Sequence, residues 1–217
     1  MSEGNALVIG ATGGIAQALL QKLVESKQYI QVFAVSRSQP RTPVKGVVYT
    51  IIDSEHEEQV AEYCQQLQHS TESFSLVVCC IGALHNKSLN IKPEKSLEDL
   101  NQQQLQFYFT INTVIPTMWL KQVEPLLKGS HAAKLVFFGA RVGSISDNQL
   151  GGWYGYRASK SALNMIIKCA QIECQRRAKN ISIVSYHPGT VATELSKPFQ
   201  TNVPKAKLFS AEFTVTQ

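Results

Sequence analysis

Little in this sequence suits a membrane or a nucleic-acid surface. The longest apolar run covers only residues 76–84, whereas a helix that crosses a bilayer needs about 20 apolar residues. Charged residues make up 17% of the chain and the basic ones are scattered, so the formal net charge of +5 predicts a solvated surface. We therefore expect neither membrane insertion nor nucleic-acid binding.

The cysteines are too few and too irregularly spaced to suggest a disulfide framework or a metal centre. Their odd number and the absence of a Cys-x-x-Cys pair predict reduced thiols and a cytoplasmic protein. No Cys/His spacing is typical of a ligand set, so we predict no structural metal. We also expect no signal peptide, because the first residues lead into an apolar strand without a basic segment or cleavage site. The five cysteines are Cys64, Cys79, Cys80, Cys169 and Cys174.

The rest of the composition is that of one globular α/β domain. With 44% hydrophobic residues, the 217-residue chain can bury a sizeable core. Short apolar runs alternate with segments of helical periodicity, which predicts a doubly wound parallel sheet (Rossmann fold) in one domain over residues 1–217, with ligands at the carboxyl ends of the strands. The predicted strands are residues 6–9, 32–35, 46–53, 76–81, 133–138 and 181–186, and the predicted helices are 15–23, 55–68, 98–128 and 153–179.

A glycine-rich turn directly follows the first predicted strand. Glycines there allow a sharp turn and a close approach of the backbone to a pyrophosphate, and the next helix adds free N–H groups. An ordinary strand-to-helix turn is the alternative, but the position after the first strand favours a nucleotide site. No Gly-Lys-Ser/Thr follows, which argues against a kinase-like nucleotide hydrolase. The predicted binding residues are Gly10, Thr12, Gly13, Gly14 and Ile15.

The end of the second strand favours NADP(H) over NAD(H). An acidic residue there would bind the ribose 2′-hydroxyl of NAD, whereas Ser36 and Arg37 offer a hydroxyl and a guanidinium that suit a 2′-phosphate. Arg37 could instead be a solvated loop charge. Asp53, after the third strand, could accept a hydrogen bond from the adenine amino group, but a helix-capping role for Asp53 or Ser54 is an equal alternative.

Tyr156 and Lys160 form the reacting pair that the sequence suggests. Their spacing of four puts them on one helix face, and a nearby ammonium would lower the pKa of the phenol from its reference value of about 10. Tyr156 could then donate a proton to a carbonyl oxygen while a nicotinamide supplies a hydride. A core aromatic beside a snorkelling lysine is the alternative.

The order of these motifs resembles the short-chain dehydrogenase/reductase family over residues 7–208. The Tyr-x-x-x-Lys pair, the glycine turn, Asn112 in the fourth helix and Pro188-Gly189 after the sixth strand all occur in the family's order. The stretches 141–146, 151–160 and 187–193 resemble the C-factor branch and the sniffer-type carbonyl reductases.

The resemblance implies reduction of a small carbonyl compound, with roles for individual residues. Tyr156 would be the general acid–base, Lys160 would also hold the nicotinamide ribose, and Asn112 would hold a water in a proton relay. Gly82 would permit a close approach to the cofactor. Residues lining the nicotinamide side would be Pro188, Gly189 and Thr193.

The sequence departs from the family pattern in two places near the site. Gly139 and Ala140 replace the usual Ser-Ser after the fifth strand, and Ser144 is the nearest replacement for the serine that polarises the carbonyl. Cys79 and Cys80 replace a pair of asparagines, and we interpret them as buried packing thiols, with a redox role as the alternative.

The resemblance also bears on assembly and on the end of the chain. It implies a homodimer or homotetramer built on the helices at 98–128 and 153–179, for which Ala158, Ala162 and Met165 are candidate contacts, although they could equally be core. Family members commonly have one more strand than the six predicted here, so that strand is either absent or lies beyond this sequence.

An alternative function is a C-factor-like signalling or nucleotide-sensing role with weak or no catalysis. The segments 83–96, 144–155 and 194–208 would shape the pocket, and their side chains suggest a partly apolar site without defining the substrate. Those side chains are Trp153, Leu195 and Phe199.

Overall fold

The predicted doubly wound parallel sheet is confirmed. A computed structural model describes residues 4–71 and 73–217 of the chain. Its main sheet has six parallel strands in the order β3-β2-β1-β4-β5-β6, so strand order reverses between β1 and β4. That reversal is where a ligand crevice forms in such sheets. The strands are β1 (Asn5–Ile9), β2 (Val32–Ser36), β3 (Val47–Ile51), β4 (Phe74–Cys79), β5 (Ala133–Phe138) and β6 (Ile181–Tyr186).

Helices cover both faces of this sheet. Alternate residues of β1 belong to two separate cores, as the period of two along a strand requires. Ala6 and Val8 pack with α1, whereas Leu7 and Ile9 pack with the buried side chains of α2, α4 and α5. The helices are α1 (Gly14–Ser26), α2 (Glu57–Ser70), α3 (Gln102–Phe109), α4 (Ile115–Leu127), α5 (Tyr154–Arg177) and the short α6 (Ala211–Thr214).

The region predicted as one helix over 98–128 instead contains two α-helices, α3 and α4. A 3₁₀ turn at Leu97–Asp99 precedes α3, and a π-helical turn at Thr110–Val114 separates α3 from α4. Pro116 lies in the first turn of α4, where its missing N–H is tolerated. The π turn carries Asn112, and such turns often occur at functional sites.

A small second sheet after β6 was missed by the sequence analysis. Its strands β7 (Thr190–Val191) and β8 (Leu208–Phe209) are two residues long, which is too short for a recognisable pattern. Within the described residues, the main sheet ends at β6. No helix among those residues is long and apolar enough to cross a membrane.

Candidate active site

The crevice begins where β1 and β4 end side by side. Gly10 follows β1 with a φ of +81°, and a Cβ added to it would lie 3.1 Å from the Ile81 backbone nitrogen. Only glycine combines this left-handed conformation with such a close approach. β4 itself ends at Cys79, two residues before its predicted end, and the chain then crosses the top of the sheet.

The N-terminus of α1 opens into this crevice. Gly13 is the N-cap residue, no side chain caps the helix, and Thr12, Gly13 and Gly14 are exposed. The first N–H groups of a helix carry partial positive charge and bind anions when they are free. A Cβ added to Gly14 would lie 3.1 Å from Cγ2 of Thr193, so Thr193 lies over the helix start. Ile15 is half-buried beneath it.

The end of β2 presents one exposed cation. Arg37 has a side chain that is 73% exposed, and its Nη1 lies 3.6 Å from Oε1 of Glu55 in a loose ion pair. Ser36 is buried, and its hydroxyl donates a hydrogen bond to the Ser38 carbonyl. The Arg37 guanidinium is therefore accessible to an anion, while the Ser36 hydroxyl is already engaged as a donor.

The residues after β3 do not cap α2 in the way we considered. The N-cap position of α2 is His56, and Asp53 Oδ1 instead accepts a hydrogen bond from the Glu55 N–H in a local turn. Ser54 accepts a hydrogen bond from the indole N–H of Trp119, a fully buried residue of α4. The interaction of Asp53 with an adenine stays a prediction.

Lys160 lies at the centre of the crevice with its ammonium buried. Its Nζ donates a hydrogen bond to the Phe138 carbonyl at the end of β5, at 2.9 Å. A Cβ added to Gly82 would lie 3.4 Å from both this Nζ and Oδ1 of Asn112, so the backbone after β4 passes between the two side chains. Burial lowers the pKa of the Lys160 ammonium to about 8, although nearby Cys79 acts in the opposite direction.

Tyr156 lies one turn before Lys160 on α5 and is also buried. Burial raises the pKa of its hydroxyl to about 12, so the lowering that we expected from the nearby ammonium is not found in the cofactor-free protein. The physical reason is that Lys160 is bonded to the Phe138 carbonyl and desolvation of the phenolate dominates. Tyr156 is therefore protonated at neutral pH.

Asn112 joins the loop after β4 to α5. Its Oδ1 accepts a hydrogen bond from the Ala83 N–H, and its Nδ2 donates to the Ala83 carbonyl and to the Ser159 hydroxyl. The side chain is fully buried and both ends of the amide are in use. Its side chain therefore joins the chain after β4 to α5, and the water relay stays a prediction.

The replacement serine is engaged in its own loop. The Ser144 hydroxyl accepts a hydrogen bond from the Asp147 N–H and shares another with Ser146, so these contacts give its predicted catalytic role no support. Ala140 packs against the cluster that contains Tyr156, and a Cβ added to Gly139 would collide with the Ser185 hydroxyl.

The thiols of Cys79, the last residue of β4, and of Cys80, which follows it, are poorly suited to redox chemistry. Cys79 is buried, and burial raises the pKa of its thiol to about 11 despite the nearby Lys160. Burial likewise raises the pKa of the Cys80 thiol well above its ordinary value. Both remain protonated at neutral pH, and all five cysteines are free. In the described residues, no group of three or more His, Cys, Asp or Glu side chains is arranged to hold a metal ion.

The turn after β6 borders the crevice on the side where we expect a nicotinamide. Pro188 is half-buried, and Gly189 has a φ of +75° with the Phe209 ring against it, where a Cβ would lie only 2.6 Å from the ring. This contact ties the turn to β8. Thr193 follows β7, and its side chain lies next to Gly14 at the start of α1. The segment after β6 and the N-terminus of α1 therefore meet at this point.

Glu94 was missed by the sequence analysis. It is only 1% exposed, and one carboxylate oxygen accepts a hydrogen bond from the Gly155 N–H at the start of α5. Its backbone carbonyl accepts another from the Trp153 N–H. An acidic residue suits a helix N-terminus, but 61 positions separate the two partners and nothing in the loop sequence singles out Glu94.

Aromatic side chains enclose the Tyr156 ring. Tyr108 and Trp153 each contact it edge to face, with centroid distances of 6.1 and 6.2 Å, and Phe199 packs on Trp153 at 5.2 Å. The structure thus brings together two of the three predicted pocket residues, whereas Leu195 is exposed. Tyr108 was not predicted, because its place in α3 becomes adjacent to Tyr156 only through the fold.

Comparisons with known proteins agree with this geometry. The family model described as short chain dehydrogenase matches residues 4–204. The 1-hydroxy-2-glutathionyl-2-methyl-3-butene dehydrogenase of Rhodococcus sp. (strain AD45) is 29% identical over 194 residues, which cover 89% of this chain and 80% of that protein. The C-signal of Myxococcus xanthus is 31% identical over 103 residues, which cover 48% of this chain and 61% of that protein.

Solved structures show the same fold. The carbonyl reductase Sniffer of D. melanogaster matches with a TM-score of 0.80 at 20% identity, covering 97% of this chain and 88% of that one. The NADPH-bound carbonyl reductase from chicken fatty liver matches with a TM-score of 0.80 at 20% identity, covering 98% and 88%. Because the family match extends over nearly the whole chain, we conclude that this protein belongs to the short-chain dehydrogenase family of oxidoreductases.

Proposed function

We propose that this protein uses NADP(H) to reduce a small carbonyl compound, with Tyr156 as the proton donor. One observation carries the proposal: the backbone at Gly82 passes between Lys160 and Asn112, and it continues directly from the strand end that packs against Gly10. The glycine turn at residues 10–14 and the buried pair of Tyr156 and Lys160 are therefore parts of one crevice at the carboxyl edge of the sheet.

The residues present fit a nicotinamide dinucleotide. The exposed start of α1 at Gly14, where no side chain caps the helix, suits its pyrophosphate, and the lack of side chains at Gly10 and Gly82 leaves room for close approach. When bound, the reduced nicotinamide supplies a hydride to the carbonyl carbon. Pro188, Gly189 and Thr193 would line its nicotinamide end.

The buried Tyr156 hydroxyl is suited to the role of proton donor. A phenol with a pKa of about 12 is protonated at neutral pH, so it can give its proton to the carbonyl oxygen, which takes the C=O π electron pair as the hydride bonds to carbon. Lys160, held beside Gly82, would bind the ribose hydroxyls and stabilise the charge that develops on Tyr156.

The loose ion pair of Arg37 supports a preference for NADP(H) over NAD(H). A 2′-phosphate offers this exposed guanidinium a doubly charged partner in place of a single carboxylate on Glu55, and exposed pairs of that kind contribute only about 0–1 kcal/mol. Ser36 could add an accepting hydroxyl. Asp53 would lie on the adenine side.

We also propose a two-fold assembly in the cytoplasm. Met165 on α5 is 64% exposed and borders a groove of about 430 Å³ between α4 and α5, a surface suited to a second copy. Ala158 is exposed and Ala162 is half-buried on the same helix, as contacts would be. The free thiols fit a reducing compartment.

A nucleotide-sensing or signalling role with weak catalysis is the second candidate. The observation in its favour is the absence of a free hydroxyl next to Tyr156, since Ala140 has none and the Ser144 hydroxyl is bonded within its loop. A sensor would bind the cofactor without needing a proton donor. The first experiment below separates the two roles.

Replacing the proton donor tests the proposed function. Tyr156→Phe should lower the carbonyl reduction rate by about 10²- to 10⁴-fold and leave NADPH affinity unchanged within about twofold. Tyr154→Phe makes the same chemical change two residues away and should keep both properties. The measurements are NADPH oxidation with aldehydes and ketones, and titration of NADPH fluorescence. Full turnover in Tyr156→Phe would overturn the proposed mechanism, and a signalling activity that survives in Tyr156→Phe and Lys160→Ala would favour the second candidate.

Removing the exposed guanidinium tests the cofactor preference. Arg37→Ala should weaken NADPH binding about tenfold and leave NADH binding unchanged, because only NADPH carries the 2′-phosphate. Added salt should reduce the wild-type preference for the same reason. Arg41→Ala, an exposed arginine on the same connection, is the control. Equal losses for both cofactors in Arg37→Ala would show that Arg37 does not bind the phosphate.

Restoring a hydroxyl at the end of β5 should accelerate the reaction. Ala140→Ser places a hydrogen-bond donor beside the Tyr156 cluster, and one such donor to a developing oxyanion typically changes kcat by about 10²-fold. The comparison is kcat at saturating NADPH, with Ala132→Ser at the opposite end of the strand as the control. An unchanged kcat in a folded Ala140→Ser variant would mean that the carbonyl oxygen does not bind at this position.

A further inference from the structure

We propose that the substrate of this site carries an aryl group, and that its ring binds against Trp153 in the place that Phe199 occupies in the structure. This inference rests on the proposed carbonyl reduction, because it puts the aryl group beside the proton donor Tyr156. It adds the substrate class and a residue that selects it.

Five rings from separate parts of the chain form a continuous series around the proton donor. Tyr108 contacts Tyr156, Tyr156 contacts Trp153, Trp153 contacts Phe199, and Phe199 contacts His85, with centroid distances of 5.2 to 6.2 Å. All four contacts are tilted or edge to face, which is the favourable arrangement for aromatic pairs. A flat aromatic ligand can replace one member of such a series without loss of these contacts.

Trp153 occupies its position at the expense of backbone strain. Its φ of +53° and ψ of 40° are left-handed, and Gly151 and Gly152 before it both have a φ of +64°. A bulky residue is a true outlier in this region, and such outliers cluster at functional sites. The hydrogen bond from its N–H to the Glu94 carbonyl holds the conformation, which places the indole between Tyr156 and Phe199.

Phe199 belongs to a connection that lies outside the main sheet. It ends the 3₁₀ turn Lys197–Phe199, in the connection between β7 and β8 outside the main sheet. Across the crevice, His85 Nε2 lies 3.3 Å from the Glu194 carbonyl and its ring packs on Phe199. Phe199 also packs against the cluster that contains Tyr156, which is only 8% exposed, so we infer that an aryl substrate takes the place of the Phe199 ring to reach the Tyr156 hydroxyl.

The buried side chain of Glu94 lies beside the Tyr108 ring of this series, which bears on the charge of the substrate. Oε1 of the buried Glu94 has no hydrogen-bond partner, and it lies beside the Tyr108 ring at the start of α5. Burial, and then the charge of Glu94, raise the pKa of the Tyr108 hydroxyl. A neutral aryl aldehyde or ketone adds no second acidic group near this unpartnered oxygen, and we infer a substrate of that class.

Binding of unreactive analogues tests this inference without any turnover. Benzamide and cyclohexanecarboxamide have the same carbonyl position and similar size, but only benzamide has an aromatic ring. Calorimetric titration of the protein, alone and with saturating NADPH, should show benzamide binding roughly three- to tenfold more tightly, the range expected for one aromatic contact.

Three variants test which aromatic rings cause the preference for benzamide. Trp153→Gly suits the positive φ and should abolish the preference for benzamide, because it removes the indole without adding strain. Phe199→Ala should tighten benzamide binding, since the ligand no longer has a ring to displace. Phe213→Leu removes an exposed ring of α6 outside the series and should change neither affinity. Circular dichroism confirms the fold of each variant.

The possible failures are distinct from one another. Equal affinities for the two amides in wild type, a preference that survives in Trp153→Gly, or weaker benzamide binding in Phe199→Ala would each overturn the aryl site. Absence of carbonyl reduction with a retained, Trp153-dependent benzamide preference would overturn the proposed reaction and support the aryl site.

Discussion

The buried ammonium of Lys160 is the constraint around which the crevice is built. A cation in this position is unfavourable unless backbone groups compensate for lost water, and the Phe138 carbonyl provides that bond. Three chain segments must come close to reach it. Gly82 and Gly143 allow two of these approaches, because a Cβ at either position would lie within 3.4 Å of Lys160 atoms. The chain after β4 and the end of β5 therefore approach the ammonium, and the loop before α5 packs against the backbone and Cβ of Lys160.

The same site contains several features that weaken the fold and serve the chemistry. Burial lowers the pKa of Lys160 to about 8, so its ammonium destabilises the folded state at neutral pH, and this penalty disappears as the pH rises from about 8 towards 10.5. The left-handed backbone conformation of Trp153 and the unpartnered carboxylate oxygen of Glu94 also destabilise the folded state. The long-range bonds of Asn112 and Glu94 offset these terms by fixing the start of α5. Such a distribution is typical of sites selected for activity rather than stability.

Sequence reasoning predicted the features that depend on the spacing of residues close together in the chain. The apolar runs predicted the six strands of the sheet, and the interval from Tyr156 to Lys160 placed both residues on one helix face. It failed where the partners are far apart in the chain, as for Glu94 with Gly155. It also did not show how strongly burial raises the pKa of Tyr156 in the cofactor-free protein, because spacing shows a neighbouring cation but not the burial of the hydroxyl. Ser144 has the right residue type near the right place, yet its hydroxyl is engaged by its own loop.

The most direct test of the account is an NMR titration of the lysine ε-carbons in protein labelled at lysine. The Lys160 signal is assigned by its loss in Lys160→Arg, and its midpoint is compared with those of the exposed lysines. The account predicts a midpoint near pH 8 for Lys160 in the cofactor-free protein. A midpoint near the ordinary value of 10.5 would contradict it, because the ammonium would then be solvated and could not be the buried charge on which β4, β5 and α5 converge.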